Sequence, residues 1–561
     1  MTNRSYFRRI LSLLLVSLVF LAGCGKSTSE ATPIAPSQSE GSLTFGQPNF
    51  EGMDRSDRNS LEYTAVRSIS SDAEITGEVI TSSGKDENAL LVTNGTVKIS
   101  GSEISRDSSD SSGGDKSSFY GIGSSVLCTA GKLEINDSKI TGNANGAAGV
   151  FAYGEGTVEI SNSDIYTVQG ASGGIHVAGG GTLYANNVTA VTEGQSSAAI
   201  RSDRGGGLLV AEGGNYTSNG IGSPAIYCTA NICAKDADLK ATGSEAVCIE
   251  GLNNLYLYNS NLSGAMKDNE QNECTWNVIL YQSMSGDSQI GNSTFQMEGG
   301  QLQASNGGMF YTTNTESTFV LKEVNLIPAE NSPFLLRCTG NKNARGWGKS
   351  GENGADCVFT AISQNMNGNV QWDSISTLSM YLTEGSVLEG LIIQDDSCAG
   401  NGGNGYADLY IDDSSKWIVT ESSYLGCLSC EGTITDKDGQ SVPIVSRDGT
   451  VLCQGESNCT ITVDKFNTSA DFSGASKLVA FNDAQINNGG ISQMGTGAPP
   501  EMPNGGFNGQ QPPEMPNGGF NGQQPPEMPN GGFNGQQPPE MPNGGFNGQQ
   551  PPEMPDNVLR N

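Results

Sequence analysis

Two carboxylates fall at matching places in two short apolar strands, Ile200-Arg201-Ser202-Asp203 and Val247-Cys248-Ile249-Glu250. If these strands lie two rungs apart in one parallel sheet, a spacing of ~4.8 Å per rung separates them by about 9.6 Å. That is near the upper edge of the ~6.5–9.5 Å between the acid and base of an inverting glycosidase. Cleavage of a glycosidic bond is the sharpest chemistry these residue types offer. Against it, Arg201 and Arg204 flank Asp203, and cations depress a carboxyl and favour an ion pair over a proton donor. No Asp-Asp pair followed by Gly-His-Gly occurs. His176, the single histidine, has no nucleophile beside it and reads as a solvent-facing side chain. Catalysis is therefore not expected; were it present, a polysaccharide lyase or glycosidase acting on acidic glycans would use Arg201, Asp203 and Glu250.

Binding without cleavage asks less of the same row. Alternate residues of a strand point to opposite faces, which gives an outward stripe of Phe151, Tyr153, His176, Arg201, Asp203, Tyr227, Glu250, Gln282, Tyr311 and Arg337, with Leu280 in the same register as Cys248. Exposed aromatic rings stack on the apolar faces of pyranoses, and planar side chains with fixed donors and acceptors bind hydroxyls. Arg201, Arg204 and Arg337 would pair with the carboxylates of an acidic, pectin-like polysaccharide. Calcium is the one cofactor with a rationale, in the loop Asp107–Asp115 or the turn Asp412-Asp413, although neither has the spacing of a regular calcium loop.

The strands that must position this row repeat. Val126-Leu127-Cys128, Val150-Phe151-Ala152, Ile175-His176-Val177, Ile200-Arg201-Ser202, Ile226-Tyr227-Cys228, Val247-Cys248-Ile249, Ile279-Leu280-Tyr281, Phe310-Tyr311-Thr312 and Leu336-Arg337-Cys338 recur at intervals of 21 to 32 residues. Each is followed by a Gly- or Asn-rich turn, a second alternating strand such as Thr157-Val158-Glu159-Ile160, and a third short one such as Ser163-Asp164-Ile165. Three strands per unit of this length predict an all-β chain wound as a right-handed parallel β-helix, in which stacked units bury what no single unit can. Residues 61–485 are assigned to it, and residues 486–561 to a disordered tail beyond the last coil. In that tail Pro-Pro-Glu-Met-Pro-Asn-Gly-Gly-Phe-Asn-Gly-Gln-Gln begins at Pro499, Pro512, Pro525 and Pro538, with a truncated copy at Pro551. Proline and glycine at that density hold no ladder. The copies act as a spacer or as several weak, identical contacts.

Composition agrees. The 561 residues include 76 glycines, 35% are hydrophobic, and the formal charge is −31. So acidic a chain does not suit nucleic acid or anionic headgroups, which are bound by Lys and Arg.

The first residues carry Arg4, Arg8 and Arg9, an uncharged apolar run from Ile10 to Ala22, and Leu21-Ala22-Gly23-Cys24. The run is too short for the ~20 residues of a membrane span and reads as a signal peptide, residues 1–23. Its last four residues resemble the lipobox of bacterial lipoproteins. That resemblance implies a lipid on Cys24 (diacylglycerol, palmitate) that holds the protein on the extracytoplasmic face of the cell membrane. The Ser, Thr, Pro and Gly of Lys26–Gln47 make a flexible linker, assigned to 24–60, and a monomer is expected. Of thirteen cysteines, twelve remain for disulfides in an exported protein. The close pairs Cys228/Cys233, Cys338/Cys357, Cys427/Cys430 and Cys453/Cys459 are the simplest assignment.

Over residues 90 to 460 the chain resembles clostridial-type exported β-helix lipoproteins, adhesin-like and described as carbohydrate-binding. The strings that carry the likeness are AIRSDRGGG at Ala199–Gly207, SPAIYCT at Ser223–Thr229, EAVCIEG at Glu245–Gly251, LYQSMSG at Leu280–Gly286 and RGWG at Arg345–Gly348. The stretch Ser415-Lys416-Trp417-Ile418-Val419-Thr420 is similar to the closing rungs of bacterial β-helical adhesins. The resemblance implies a cell-surface glycan binder and no catalytic residue; a structural adhesin that makes its contacts through the tail is the other non-enzymatic reading.

Overall fold

The computed structural model describes residues 61–267 and 272–489. The expected signal peptide, Cys24, the linker and the repeats from Pro499 onward lie outside the described residues.

Alternation of apolar and polar side chains sets the local structure. In Thr96–Ser100 and Asp164–Thr167 every second residue is buried, the pattern of strands with one face on a core. Strands join into parallel sheets of 28, 10 and 4 strands. From Gly173 onward the strands repeat in threes, most of them pairing with the third strand before or after: Gly173–Ala178 with Ile200–Ser202 in a first ladder, Gly181–Asn186 with Gly207–Glu212 in a second, and Thr189–Thr192 with Asn215–Ser218 in a third. The large sheet thus contains two ladders, joined where the long strands Val126–Asn136 and Ala148–Ser161 run through both. Among the named strands, the one antiparallel pairing is Ile444–Ser446 with Val451–Cys453.

A repeated corner separates the second ladder from the third. Asp137, Asn162, Asn187, Asp236 and Asn259 take φ between 47° and 53° there, a left-handed conformation that Asn and Asp tolerate because their short side chains bond locally. Those side chains also stack: Asn187 Nδ2 donates to Asn162 Oδ1 at 2.9 Å and Asn259 Nδ2 to Asp236 Oδ1 at 2.6 Å.

The inward residues of all ladders form one apolar core from Ile69 to Val463. Within it Phe295, Phe310, Phe319 and Phe359 pack with ring centroids 5.3–6.2 Å apart. The sequence register matches the observed pairing for Val126, Val150, Ile175, Ile200, Ile226 and Val247, and again for Phe310 and Leu336. It slips by one at Ile279. Val278, not Ile279, pairs with Val247, so Leu280 faces the core and Ile279 and Tyr281 take the outer row. The apolar run Trp276–Tyr281 is buried on both faces, which erases the alternation that fixes register.

The described chain does not end beyond the last coil. After the strand Ile461–Asn467 it returns along the outer face of the second ladder. Ser476 N donates to Thr360, Val479 bonds Gln296 and Tyr258, Ala484 lies over Cys233, and Asn487 donates to Gly180 O. Gly489 therefore sits against Gly180, between much earlier strands of the same sheet.

The twelve described cysteines are all free. Cys228 points into the core, whereas Cys233 faces outward beneath Ala484. Cys338 and Cys357 both belong to the core and share a hydrogen bond as thiols.

Candidate functional site

The outer row of the first ladder is not an open stripe. Segments inserted between successive strands lie across it and leave a cleft of about 540 Å³. Its floor is Arg201, Asp203, Tyr227, Glu250 and Tyr281, from four successive strands; its walls are Gly114–Phe119 on one side, Ser283–Asp287 and Arg345–Trp347 on the other.

The first wall is the short helix Asp115–Tyr120. It ends at Gly121, whose φ of 75° and close approach need glycine: a Cβ there would meet the Leu127 side chain at 2.6 Å and the Phe151 ring at 3.1 Å. Leu127 and Phe151 are consequently fully buried, not exposed. The second wall hangs from Glu250. Its Oε2 accepts from the hydroxyls of Tyr227 at 3.1 Å and Tyr281 at 3.2 Å, and its Oε1 from Ser283 Oγ and, at 3.4 Å, Ser285 Oγ. Between those serines Met284 projects at the cleft with φ of 66°. The third piece is held by Asn341 and Asn353, whose Nδ2 atoms both donate to Trp347 O.

One cation ties two walls together. Arg204 pairs with Asp287 at 2.7 Å and lies 4.3 Å over the Phe119 ring. Arg201 is more completely engaged: Nε meets Asp203 Oδ2 at 2.8 Å, Nη1 donates to the carbonyls of Ala171, Ser172 and Ser196, and Nη2 donates to Ser118 Oγ.

These contacts set the titration behaviour. Burial pushes the Glu250 carboxyl up to about 6, against the hydroxyl bonds and with help from Asp287. Burial acts on Asp203 in the same direction, but the Arg201 guanidinium and His176 outweigh it and hold the carboxyl below its ordinary value. His176 is not solvent-facing. It is 2% exposed, stacks on Phe151 at 4.0 Å, and has Nε2 3.0 Å from Asp203 Oδ2. Burial lowers its pKa to about 4, leaving it neutral near pH 7.

Of the sequence-selected residues, the structure gathers Arg201, Asp203, Tyr227 and Glu250 in the cleft and places Arg204 and His176 against it. It does not bring the others there. Tyr153 packs edge-on against Tyr120 at 5.6 Å. Tyr311 is buried with its hydroxyl donating to Glu273 at 2.6 Å. Arg337 is buried against Asp395, Gln371 and Thr339. Gln282 is buried and its carbonyl accepts from Asn314. Sequence reasoning missed Phe119, Tyr281, Met284, Asp287 and Trp347. The legible signal was strand spacing, because the pairings Leu90 to Val126, Val278 to Phe310 and Leu336 to Val370 span more residues than the usual 25.

Among the described residues no three acidic, histidine or cysteine side chains converge as metal ligands. Ser112, inside the loop Asp107–Asp115, instead donates through N and Oγ to Asp86, and Asp412 accepts from the amides of Glu384 and Ser414. No described helix is long and apolar enough to cross a membrane. No family model and no curated protein matches the chain.

Proposed function

We propose that this chain is a surface lipoprotein, anchored through Cys24, whose strands wind as a right-handed parallel β-helix and whose cleft binds polysaccharide without cleaving it. The observation that carries the reading is the cleft itself: the rings of Phe119, Tyr227, Tyr281 and Trp347 stand beside polar groups held rigid by one another. Sugar recognition needs that pairing of flat apolar faces with fixed donors and acceptors. Repeated three-strand pairing supports the winding, and the strings that resemble those of adhesin-like β-helix lipoproteins support the display role.

The carboxylates favour binding over catalysis. Asp203 is neutralised by Arg201 and lies 3.0 Å from His176 Nε2. Glu250 already accepts four hydroxyls, so neither is free to shuttle a proton to a substrate. One observation favours a second reading as a glycoside hydrolase: Glu250, with its pKa raised to about 6, is the type of group that serves as general acid. Incubating the mature chain with a panel of polysaccharides separates the two. Quenching of Trp347 fluorescence with no new reducing ends or unsaturated products supports binding; product release abolished by Asp203→Asn establishes hydrolysis. Incorporation of a palmitate analogue, lost in Cys24→Ala, tests the anchor.

A further inference from the structure

The charge in the cleft is unevenly answered. Arg201 is matched by Asp203 and Arg204 by Asp287. Glu250 is 1% exposed, lines the cleft, and is held by hydroxyl groups alone. A carboxylate has about four lone-pair sites. Tyr227, Tyr281, Ser283 and Ser285 fill them, so Glu250 offers an incoming ligand negative charge and not an empty acceptor. A neutral sugar hydroxyl gains little from such a group. A cation gains its full Coulomb attraction, strengthened by burial.

The rings around that charge have the matching chemistry. Tyr227 and Tyr281 converge edge-first on one carboxylate oxygen. The Trp347 ring leans on Tyr281 with centroids 4.5 Å apart at 43°. Aromatic faces carry negative potential and attract ammonium groups, most of all where water is displaced. Trp347 already receives one cation in this way: the Arg345 guanidinium sits 5.4 Å from its centroid while Nε donates to Asn272.

We propose that Tyr227, Tyr281 and Trp347 form an aromatic cage over the Glu250 carboxylate that seats an organic ammonium, so that the bound glycan is an amino sugar carrying free, unacetylated amines. This deepens the glycan-binding reading and rests on it for the sugar, but not for the cation. An acidic glycan is disfavoured by the same arithmetic: Arg201 and Arg204 are paired, Arg345 is engaged by Trp347 and Asn272, and Glu250 repels a carboxylate.

The test uses the full mature chain near pH 7, with Trp347 fluorescence and calorimetry as readouts. The probes are β-1,4-linked tetramers of glucosamine, N-acetylglucosamine and glucose, together with tetramethylammonium chloride compared with sodium chloride at equal ionic strength. The glucosamine tetramer is expected to bind about tenfold or more tighter than the other two. Tetramethylammonium should compete with it, and Glu250→Gln should bring the ratio of affinities to about one. Tyr227→Leu, which removes a ring and leaves the charge, should reduce the same ratio, so the proposal does not depend on one variant folding. Equal or tighter binding of the acetylated or glucose tetramer overturns the cage and leaves the glycan cleft standing. Quenching by tetramethylammonium with no response to any tetramer overturns the glycan reading and keeps the cage. Silence from every probe overturns both.

Discussion

Glu250 makes the stability of the protein respond to pH in a direction fixed by burial, and Glu250→Gln removes that response. The folded carboxyl titrates at about 6 against an ordinary value of 4.5. At ~1.4 kcal/mol per unit this difference is worth about 2 kcal/mol. Because the folded value is the higher one, the stabilising contribution is fully present below pH 4.5 and is lost as pH rises through about 6. His176 works the other way. Its folded value of about 4 lies below 6.5, so about 3 kcal/mol is present above 6.5 and is lost as pH falls through 4. The two slopes oppose each other over the same window, and a wild-type profile alone would hide both. The assay is denaturant unfolding of wild type and Glu250→Gln between about pH 4 and pH 8, read as the difference between the two chains so that other groups cancel. Wild type should lose about 2 kcal/mol relative to the variant between pH 4.5 and 7. A difference that is flat in pH, or that slopes upward, would refute the reasoning.

His176→Asn should remove the acid-side loss, leaving a chain about 3 kcal/mol less sensitive between pH 6.5 and 4 in the same titration. Phe319→Ala deletes the ring that touches Phe295, Phe310 and Phe359 and should cost about 3–5 kcal/mol in unfolding experiments. Arg204→Ala breaks a partly exposed ion pair, so stability should change by less than about 1 kcal/mol. Releasing the Phe119 and Asp287 walls should nevertheless speed ligand entry, measured by stopped-flow fluorescence. Among the described cysteines Cys453 is the exposed one and should react first with a thiol reagent. Ending the chain after residue 470 removes the segment over Cys233 and should add one fast-reacting thiol; no added reactivity would mean that the return segment does not cover it.

How far the site was legible depends on which face of a strand is meant. Ile200-Arg201-Ser202 and Val247-Cys248-Ile249 alternate cleanly, so the sequence alone places Asp203 and Glu250 on one outer row. Trp276–Tyr281 does not alternate, and there the register was misread by one residue. Exposure was misread more widely. Phe151, His176, Tyr311 and Arg337 do point outward, yet all are buried, because alternation assigns a side of the sheet and says nothing about what lies upon it.

The sequence by itself determined the parallel three-strand unit, most of its register and the outward direction of the candidate carboxylates. A repeat near 25 residues whose inward row is apolar can bury that row only by stacking. Tertiary structure alone decided which outward residues share a cleft. Ser118 reaches Arg201 and Arg204 reaches Asp287, each across 83 positions of chain. Such contacts come from insertions between different strands, whose paths follow packing and charge pairing in three dimensions and leave no period in the sequence.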